Sequence, residues 1–420
     1  MFMYIKFQKP KGRRYTALLC CALALLLCLS ACTAASETEG VISAAPTDGQ
    51  AAAEREAQVS LLENATEAVA TSARAHILME ASTGAVLAQR NPDTRLPMAS
   101  TTKIMTALVV AETLPLSLQV VIPPEAVGVE GSSVYLIEGE TLTVEELLYA
   151  LLLESANDAA VALACAVSGS VEEFVERMNR RAADMGLSVT HFRNPHGLDA
   201  DDHYTTAREL ALISRAALEN ETICTIVSTQ KKIIRLHGDE GVRLLVNHNR
   251  LLRAYDGCIG LKTGYTKKTG RCLVSAAERD GVRLIAVTLG APDDWQDHEH
   301  LLDYGFSRCE AVGLVHPEAE HLPVWVISGE REYTIVSPAE SVRVVLPRER
   351  GRVRRVVELP RFAYAPLSEG ETMGQLVYYL ETDGKLLRIA SVPLTATYGI
   401  CAVTYEESLL DRLKALFGSG

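Results

Sequence analysis

Apolar residues change their spacing twice along this chain, and that change limits its fold more than any other feature. His76-Ile77-Leu78-Met79-Glu80 and Ala85-Val86-Leu87-Ala88 are short strand-like runs separated by Ser82-Thr83-Gly84, a cluster suited to a hairpin turn. From residue 100 to about 218 the apolar positions recur at helical intervals, which predicts helices over 100–112, 144–153, 158–167, 171–185 and 206–218. Glu154-Ser155-Ala156-Asn157 interrupts the second and third of these and falls on a turn. Gly186 follows the fourth, as a C-terminal cap would. Strand character then returns at 257–264, 272–277 and 282–289, with short polar turns between. An early hairpin, a helical middle and a late meander predict one α+β domain whose sheet unites both ends of that segment.

Beyond Cys309 the runs shorten to Val324-Trp325-Val326-Ile327, Val342-Arg343-Val344-Val345 and Leu376-Val377-Tyr378-Tyr379, and Asp383-Gly384 is a hairpin signal. A second, small all-β domain is therefore expected over 309–403, after a larger domain over 59–308, and 420 residues suffice for both. Residues 33–58 hold almost no large apolar side chains and read as a flexible linker, with order beginning near Val59. In the tail, 404–420, Leu409, Leu410, Leu413, Leu416 and Phe417 share one helical face that suits either a membrane surface or the protein's own domain.

Lys6, Lys9, Lys11, Arg13 and Arg14 precede an apolar run over 17–29 that is too short to span a bilayer, so residues 1–32 read as a secretory signal and the protein as exported. The run ends in Leu29-Ser30-Ala31-Cys32, which resembles a bacterial lipobox whose cysteine becomes the lipidated N-terminus; ordinary cleavage near Ala34 or Ala35 is the other reading. A formal net charge of -12 argues against nucleic acid as a partner, because phosphate binding needs a basic face. Six cysteines lie beyond the leader without metal-type spacing; Cys258 and Cys272 bracket a hairpin and could pair, although free thiols are the simpler reading.

Three small motifs carry the chemistry. Ser100-Thr101-Thr102-Lys103 opens the first helix, placing a hydroxyl and an amine three residues apart on one face, beside the free N–H groups of a helix start. Ser155-Ala156-Asn157 sits on the turn between two apolar helices. Lys262-Thr263-Gly264 lies within a strand, where Lys and Gly are poor choices for packing and a missing side chain lets a ligand approach. In this order and context the set resembles the Ser-x-x-Lys, Ser-x-Asn and Lys-Thr-Gly signature of penicillin-recognising serine enzymes, and most closely the low-molecular-mass penicillin-binding proteins that act as D-Ala-D-Ala carboxypeptidases. Asn194-Pro195-His196-Gly197-Leu198-Asp199, His203-Tyr204-Thr205-Thr206-Ala207-Arg208 and Leu302-Asp303-Tyr304-Gly305-Phe306 extend the likeness, as does the β-rich second domain.

The resemblance implies a β-lactamase/transpeptidase-like fold and a hydrolase that trims peptidoglycan stem peptides, takes β-lactams as inhibitors and needs no cofactor or metal. It makes Ser100 the nucleophile, Lys103 its base and Ser155 the proton relay to the leaving amine. Asn157 would bind the substrate's peptide carbonyl, and Lys262 and Thr263 its terminal carboxylate. Gly264 would leave room for the substrate, and the N–H groups of Ser100 and Tyr265 would form the oxyanion hole. A second Lys268-Thr269-Gly270 falls on a turn and is set aside, His196 and His203 read as structural, and Asp297-His298-Glu299-His300 as a solvated face. A β-lactamase would need a deacylating carboxylate loop such as Glu-x-x-Leu-Asn, which is missing between Asn157 and Lys262. A DD-endopeptidase on the same fold and a non-catalytic wall-associated lipoprotein are the remaining competitors.

Overall fold

The computed structural model describes residues 47–63, 69–235, 241–382 and 384–404. The signal segment 1–32, Cys32, the first part of the linker, Asp383 and the amphipathic tail from Tyr405 onward lie outside the described residues. No helix among the described residues is long and apolar enough to cross a membrane.

Helix α1 (Asp48–Glu63) opens the described chain and corrects the reading of a flexible linker up to residue 58. Its Glu54 carboxylate accepts from Arg388 Nε at 2.7 Å and from Ser391 Oγ at 2.7 Å, Gln58 donates to the carbonyl of Ile389, and Leu62 is buried. The helix is therefore held by contacts far away in sequence, which local composition does not reveal. A hairpin follows, β1 (Ala75–Glu80) and β2 (Val86–Arg90). A 3-10 turn over Ala99–Thr102 then leads into α2 (Lys103–Thr113), which is buried from Lys103 to Val110 and forms the centre of the helical cluster.

A short ribbon, β3 (Gln119–Val121) with β4 (Thr141–Thr143), precedes α3 (Val144–Leu153). Thr143 and Glu146 cap that helix reciprocally, each side chain taking the other's backbone N–H. Next come α4 (Asn157–Ser168), α5 (Val171–Asp184), α6 (Ala207–Leu218) and α7 (Glu221–Ser228). Ser170, Thr206 and Asn220 cap the last three by accepting a backbone N–H three residues ahead. A second ribbon, β5 (Lys231–Arg235) with β6 (Val242–Val246), and the single turn α8 (Leu251–Ala254) lead to the meander. The meander is β7 (Cys258–Thr266), β8 (Gly270–Arg279) and β9 (Val282–Leu289), followed by α9 (Asp294–Arg308).

The main sheet is antiparallel in the order β2-β1-β9-β8-β7, so strands from both ends of the segment join as the sequence predicts. Its faces are both covered. Ile77, Met79, Ile285 and Val287 enter the core shared with α2, α3 and α6, while Leu78, Leu284 and Ala286 pack with Leu301 and Leu302 of α9. That double burial is why β9 reads as a continuous apolar run instead of an alternating one.

The chain then turns all-β with β10 (Cys309–Val315), β11 (Leu322–Ile327), β12 (Tyr333–Pro338), β13 (Val342–Pro347) and β14 (Arg352–Glu358). It continues with β15 (Phe362–Tyr364), β16 (Thr372–Thr382) and β17 (Lys385–Ala396). Six of these form a sheet in the order β14-β16-β17-β12-β11-β15, and β10 pairs with β13 beside it. Pairing of β16 with β17 runs to Thr382 and Lys385, the residues that flank the predicted Asp383-Gly384 hairpin signal, of which Asp383 lies outside the described residues.

Candidate active site

The nucleophile candidate owes its position to two glycines. Ser100 stands in the 3-10 turn before α2, where Ala99 takes a positive φ of 48°. A Cβ on Gly197 would lie 2.0 Å from the Ala99 carbonyl oxygen, and one on Gly264 would lie 3.1 Å from Ser100 N. The loop at 197 and strand β7 therefore close on the turn from two sides, at a distance that excludes any Cβ at Gly197 and leaves a tight fit for one at Gly264. Ser100, Ser155, Thr263, Gly264 and Tyr265 line one cleft of about 320 Å³. Ser155, at φ 61°, sits on the turn between α3 and α4 that the sequence places there.

Lys103 lies one turn along from Ser100 and is 0 % exposed. Its Nζ is 3.0 Å from Ser100 Oγ, 2.7 Å from Asn157 Oδ1 and 2.5 Å from the carbonyl oxygen of His196. Burial, reinforced by the like charge of Lys262, holds this amine well below the ordinary lysine range, against an opposing pull from Asp158. A neutral amine has two N–H donors and one lone pair. Two of its three neighbours, the Asn157 amide oxygen and the His196 carbonyl, can only accept, so they take both donors. The lone pair is left for the Ser100 hydroxyl, which is the arrangement a general base needs.

Asn157 is fixed in turn. Its Nδ2 donates to the Glu130 carbonyl at 2.6 Å and its N–H to that of Ser132 at 2.7 Å. Next to it, the buried Asp158 carboxylate gathers Ser133 Oγ and the N–H groups of Val134 and Leu136, so the 132–136 loop is tied to the start of α4.

Strand β7 carries the third motif after a register shift between Cys258 and Gly260, where φ is 105° at Gly260 and 89° at Leu261. Lys262 is 1 % exposed, and its Nζ donates to the Thr263 carbonyl at 2.9 Å. Burial lowers its pKa to about 7, although Glu154 pulls the other way. Lys262 is thus buried, while Thr263, Gly264 and Tyr265 line the cleft.

The remaining candidates fall into structural places. His203 accepts the Arg193 N–H at Nδ1, so its Nε2 proton goes to Thr102 Oγ1 at 2.7 Å. Burial lowers the pKa of His203 to about 4 and that of His196 to about 3, which keeps both imidazoles neutral. His196 contributes through its backbone carbonyl, a role that its side-chain chemistry could not announce. Lys268-Thr269-Gly270 forms the turn between β7 and β8, where Thr266 and Thr269 hydroxyls donate to Asp199. Asp297 and His298 are buried, not part of a solvated face: Asp297 receives the Ser72 N–H and hydroxyl, and His298 bonds Ser275 and Thr288. Cys258 and Cys272 are both free thiols, opposite Ala277 and Gly264 respectively.

The cleft also contains side chains that the motifs do not include. Arg271, opposite Tyr265 at the start of β8, lines it together with His248, Asp294 and Trp295.

Residues 62–293 match the D-alanyl-D-alanine carboxypeptidase family, peptidase S11. The chain is 34% identical over 341 residues to D-alanyl-D-alanine carboxypeptidase DacF of Bacillus subtilis, covering 79% of this chain and 86% of that protein. It is 34% identical over 338 residues to DacC of Escherichia coli, covering 76% and 82%. Penicillin binding protein 5 from Haemophilus influenzae superposes with a TM-score of 0.60 at 30% identity, over 79% of this chain and 98% of that one.

Proposed function

This chain belongs to the D-alanyl-D-alanine carboxypeptidase family, and from that premise we propose that it performs the family's reaction through an acyl-enzyme on Ser100. It is a serine peptidase with a penicillin-binding fold that acts on peptidoglycan peptides ending in D-Ala-D-Ala. Ser100 Oγ attacks the carbonyl of the terminal peptide bond while its proton passes to Lys103 Nζ. The oxyanion settles against the N–H groups of Ser100 and Tyr265, and Ser155 hands the proton to the departing D-alanine amine. Water then hydrolyses the ester and frees the shortened stem peptide.

The observation that carries this reading is the buried Lys103 amine, 3.0 Å from Ser100 Oγ and within hydrogen-bond reach of the Asn157 amide oxygen and the His196 carbonyl oxygen. Penicillin should leave one adduct on Ser100, read by mass spectrometry, and a D-Ala-D-Ala pentapeptide should lose a single D-alanine. An intact adduct in Ser100→Ala, or a preference for cross-linked dimers, would sink the assignment.

For placement in the cell we propose export by residues 1–32, with Cys32 as the lipid anchor at the outer face of the cytoplasmic membrane and the tail as a weaker contact. Cys32→Ala should release the protein from membranes or stop its processing, whereas unchanged membrane association would point to the tail.

A further inference from the structure

We infer that the outer face of β11, β12 and β15 is the seat of the chain's own C-terminal tail, residues 405–420, whose apolar stripe covers it in water. Val324, Val326, Thr334 and Val336 of these strands are buried, so alternation turns Trp325, Ile327 and Tyr333 to the other face. Trp325, Ile327, Tyr333, Phe362 and Tyr364 are each between 40 % and 64 % exposed. The register makes them one surface: Trp325 stands opposite both Tyr333 and Phe362, and Ile327 opposite Tyr364. Their rings meet edge to face, with centroids 6.3 Å apart for Trp325 and Tyr333 and 5.7 Å for Phe362 and Tyr364.

The two edges of this sheet are finished differently. β14 carries Arg352, Arg354 and Arg355, charges of the kind that keep an open edge from pairing. β15 is the opposite edge, and neither it nor β11 or β12 contains a charged residue. A contiguous apolar face of this kind marks a place where something docks. What docks there follows from where the described chain ends. The Val403 N–H donates to the Ser328 carbonyl at 2.8 Å and the Glu330 N–H to that of Cys401 at 3.0 Å, so the last described residues run along the turn that follows Ile327.

From Val403 to Leu409 an extended chain reaches about 20 Å, enough to bring the tail back over the strands. Helical spacing puts Leu409, Leu410, Leu413, Leu416 and Phe417 on one stripe about 12 Å long, against about 13 Å from Pro323 to Ile327 along β11. Three strands are about 10 Å across, the width of one helix. So short a tether also holds the tail at an effective concentration on the order of millimolar. Glu406, Glu407 and Asp411 outnumber Arg412 and Lys414, a balance that an anionic bilayer repels and an uncharged sheet does not. The tail's membrane contact is then the weaker one because the same stripe must first leave the sheet.

Hydrogen exchange of the exported protein in lipid-free buffer, read by mass spectrometry, tests this. An isolated helix of this length is marginal in water, so protection reports docking. Amides of 405–420 should exchange at least about tenfold more slowly than an unstructured chain, and equally so at about 1 µM and about 50 µM protein. Two paired variants, Leu410→Glu with Leu413→Glu and Trp325→Ser with Phe362→Ser, should each return the tail to the unstructured rate. The first pair should also speed exchange in β15 while β16 stays protected, and since it lies outside the sheet it keeps the test open should the second pair fold poorly. A tail that exchanges freely in buffer and slows only when phosphatidylcholine vesicles are added is a membrane segment, and protection confined to the higher concentration belongs to a second copy. Either result overturns the inference, as does protection that survives the Trp325 and Phe362 changes. Penicillin should acylate Ser100 equally in every variant, so a failure here leaves the reading of the active site untouched.

Discussion

The main sheet and the C-terminal sheet place their polar groups in opposite ways. In the first, helices cover both faces, and Lys103, Asn157, Asp158 and Lys262 are each at most 3 % exposed. In the second, β11 alternates buried Val324 and Val326 with exposed Trp325 and Ile327, and the buried polar side chains among the described residues of 309–404, Thr334, Gln375 and Tyr378, are uncharged amide or hydroxyl groups. Holding a charged amine out of water costs several kcal/mol, which only a domain with the stability of a thick apolar core can offset. The core around α2 supplies that stability; a single sheet with a wetted face cannot. Substitutions should therefore alter rate in the first region and stability alone in the second.

The sharpest test of that division is Lys103→Met. Removing a general base typically costs 10²- to 10⁴-fold, and about 10³-fold is expected here for acylation of Ser100 by penicillin. Acylation by the unaltered protein should also fall as pH drops, because protonating Lys103 occupies the lone pair that faces Ser100. Retained acylation in the Met variant would break the comparison. The counterpart is Leu394→Ala in β17, a fully buried core residue. It should lower stability by about 3 kcal/mol in urea titration and leave Ser100 acylation within about twofold. A matching fall in rate would mean that the two regions are energetically one.

How far the sequence reveals this division depends on range. The helix and strand periods, the turn at Glu154-Ser155-Ala156-Asn157 and the spacing of Ser100 from Lys103 are local features, and each can be read from a few neighbouring residues. Helix α1 could not be, because Glu54 and Gln58 find their partners more than 300 residues away in β17. The His196 carbonyl was hidden for a different reason: a backbone oxygen is the same in every residue. The burial of Lys262 and the exposure of Arg271 to the cleft follow from the bulge at Gly260 and from the β7–β8 register, and neither has a local signal.

Lys262 offers a finer probe of how much the apolar surround sustains. Its folded pKa is about 7 against 10.5 for an ordinary lysine, so between those limits the unfolded chain binds a proton that the folded chain lacks. Stability should accordingly rise with pH across that window. Lys262→Met should stabilise the fold by about 2 kcal/mol near neutrality, with the gap to the unaltered protein narrowing as pH approaches about 10. Parallel denaturation curves at about pH 7 and about pH 9.5 that show a constant gap would mean the amine stays charged when folded.

The smallest effect lies where the two regions meet. Leu62 of α1 packs with Leu78 and Leu87 of the main sheet and with Val345 of β13, while Glu54 on the same helix receives Arg388 and Ser391 of β17. Glu54→Gln keeps the hydrogen bonds and removes the charge. With Arg388 26% exposed and the carboxylate 11%, solvent screens part of the pair, so about 1 kcal/mol is expected, not the full value of a buried bridge. If α1 couples the sheets, that loss appears in a single cooperative transition that shifts as a whole. If instead the C-terminal sheet unfolds first, the variant splits the curve in two. Near-ultraviolet circular dichroism of Trp295 and Trp325, one beside the cleft and one on β11, would then report separate midpoints.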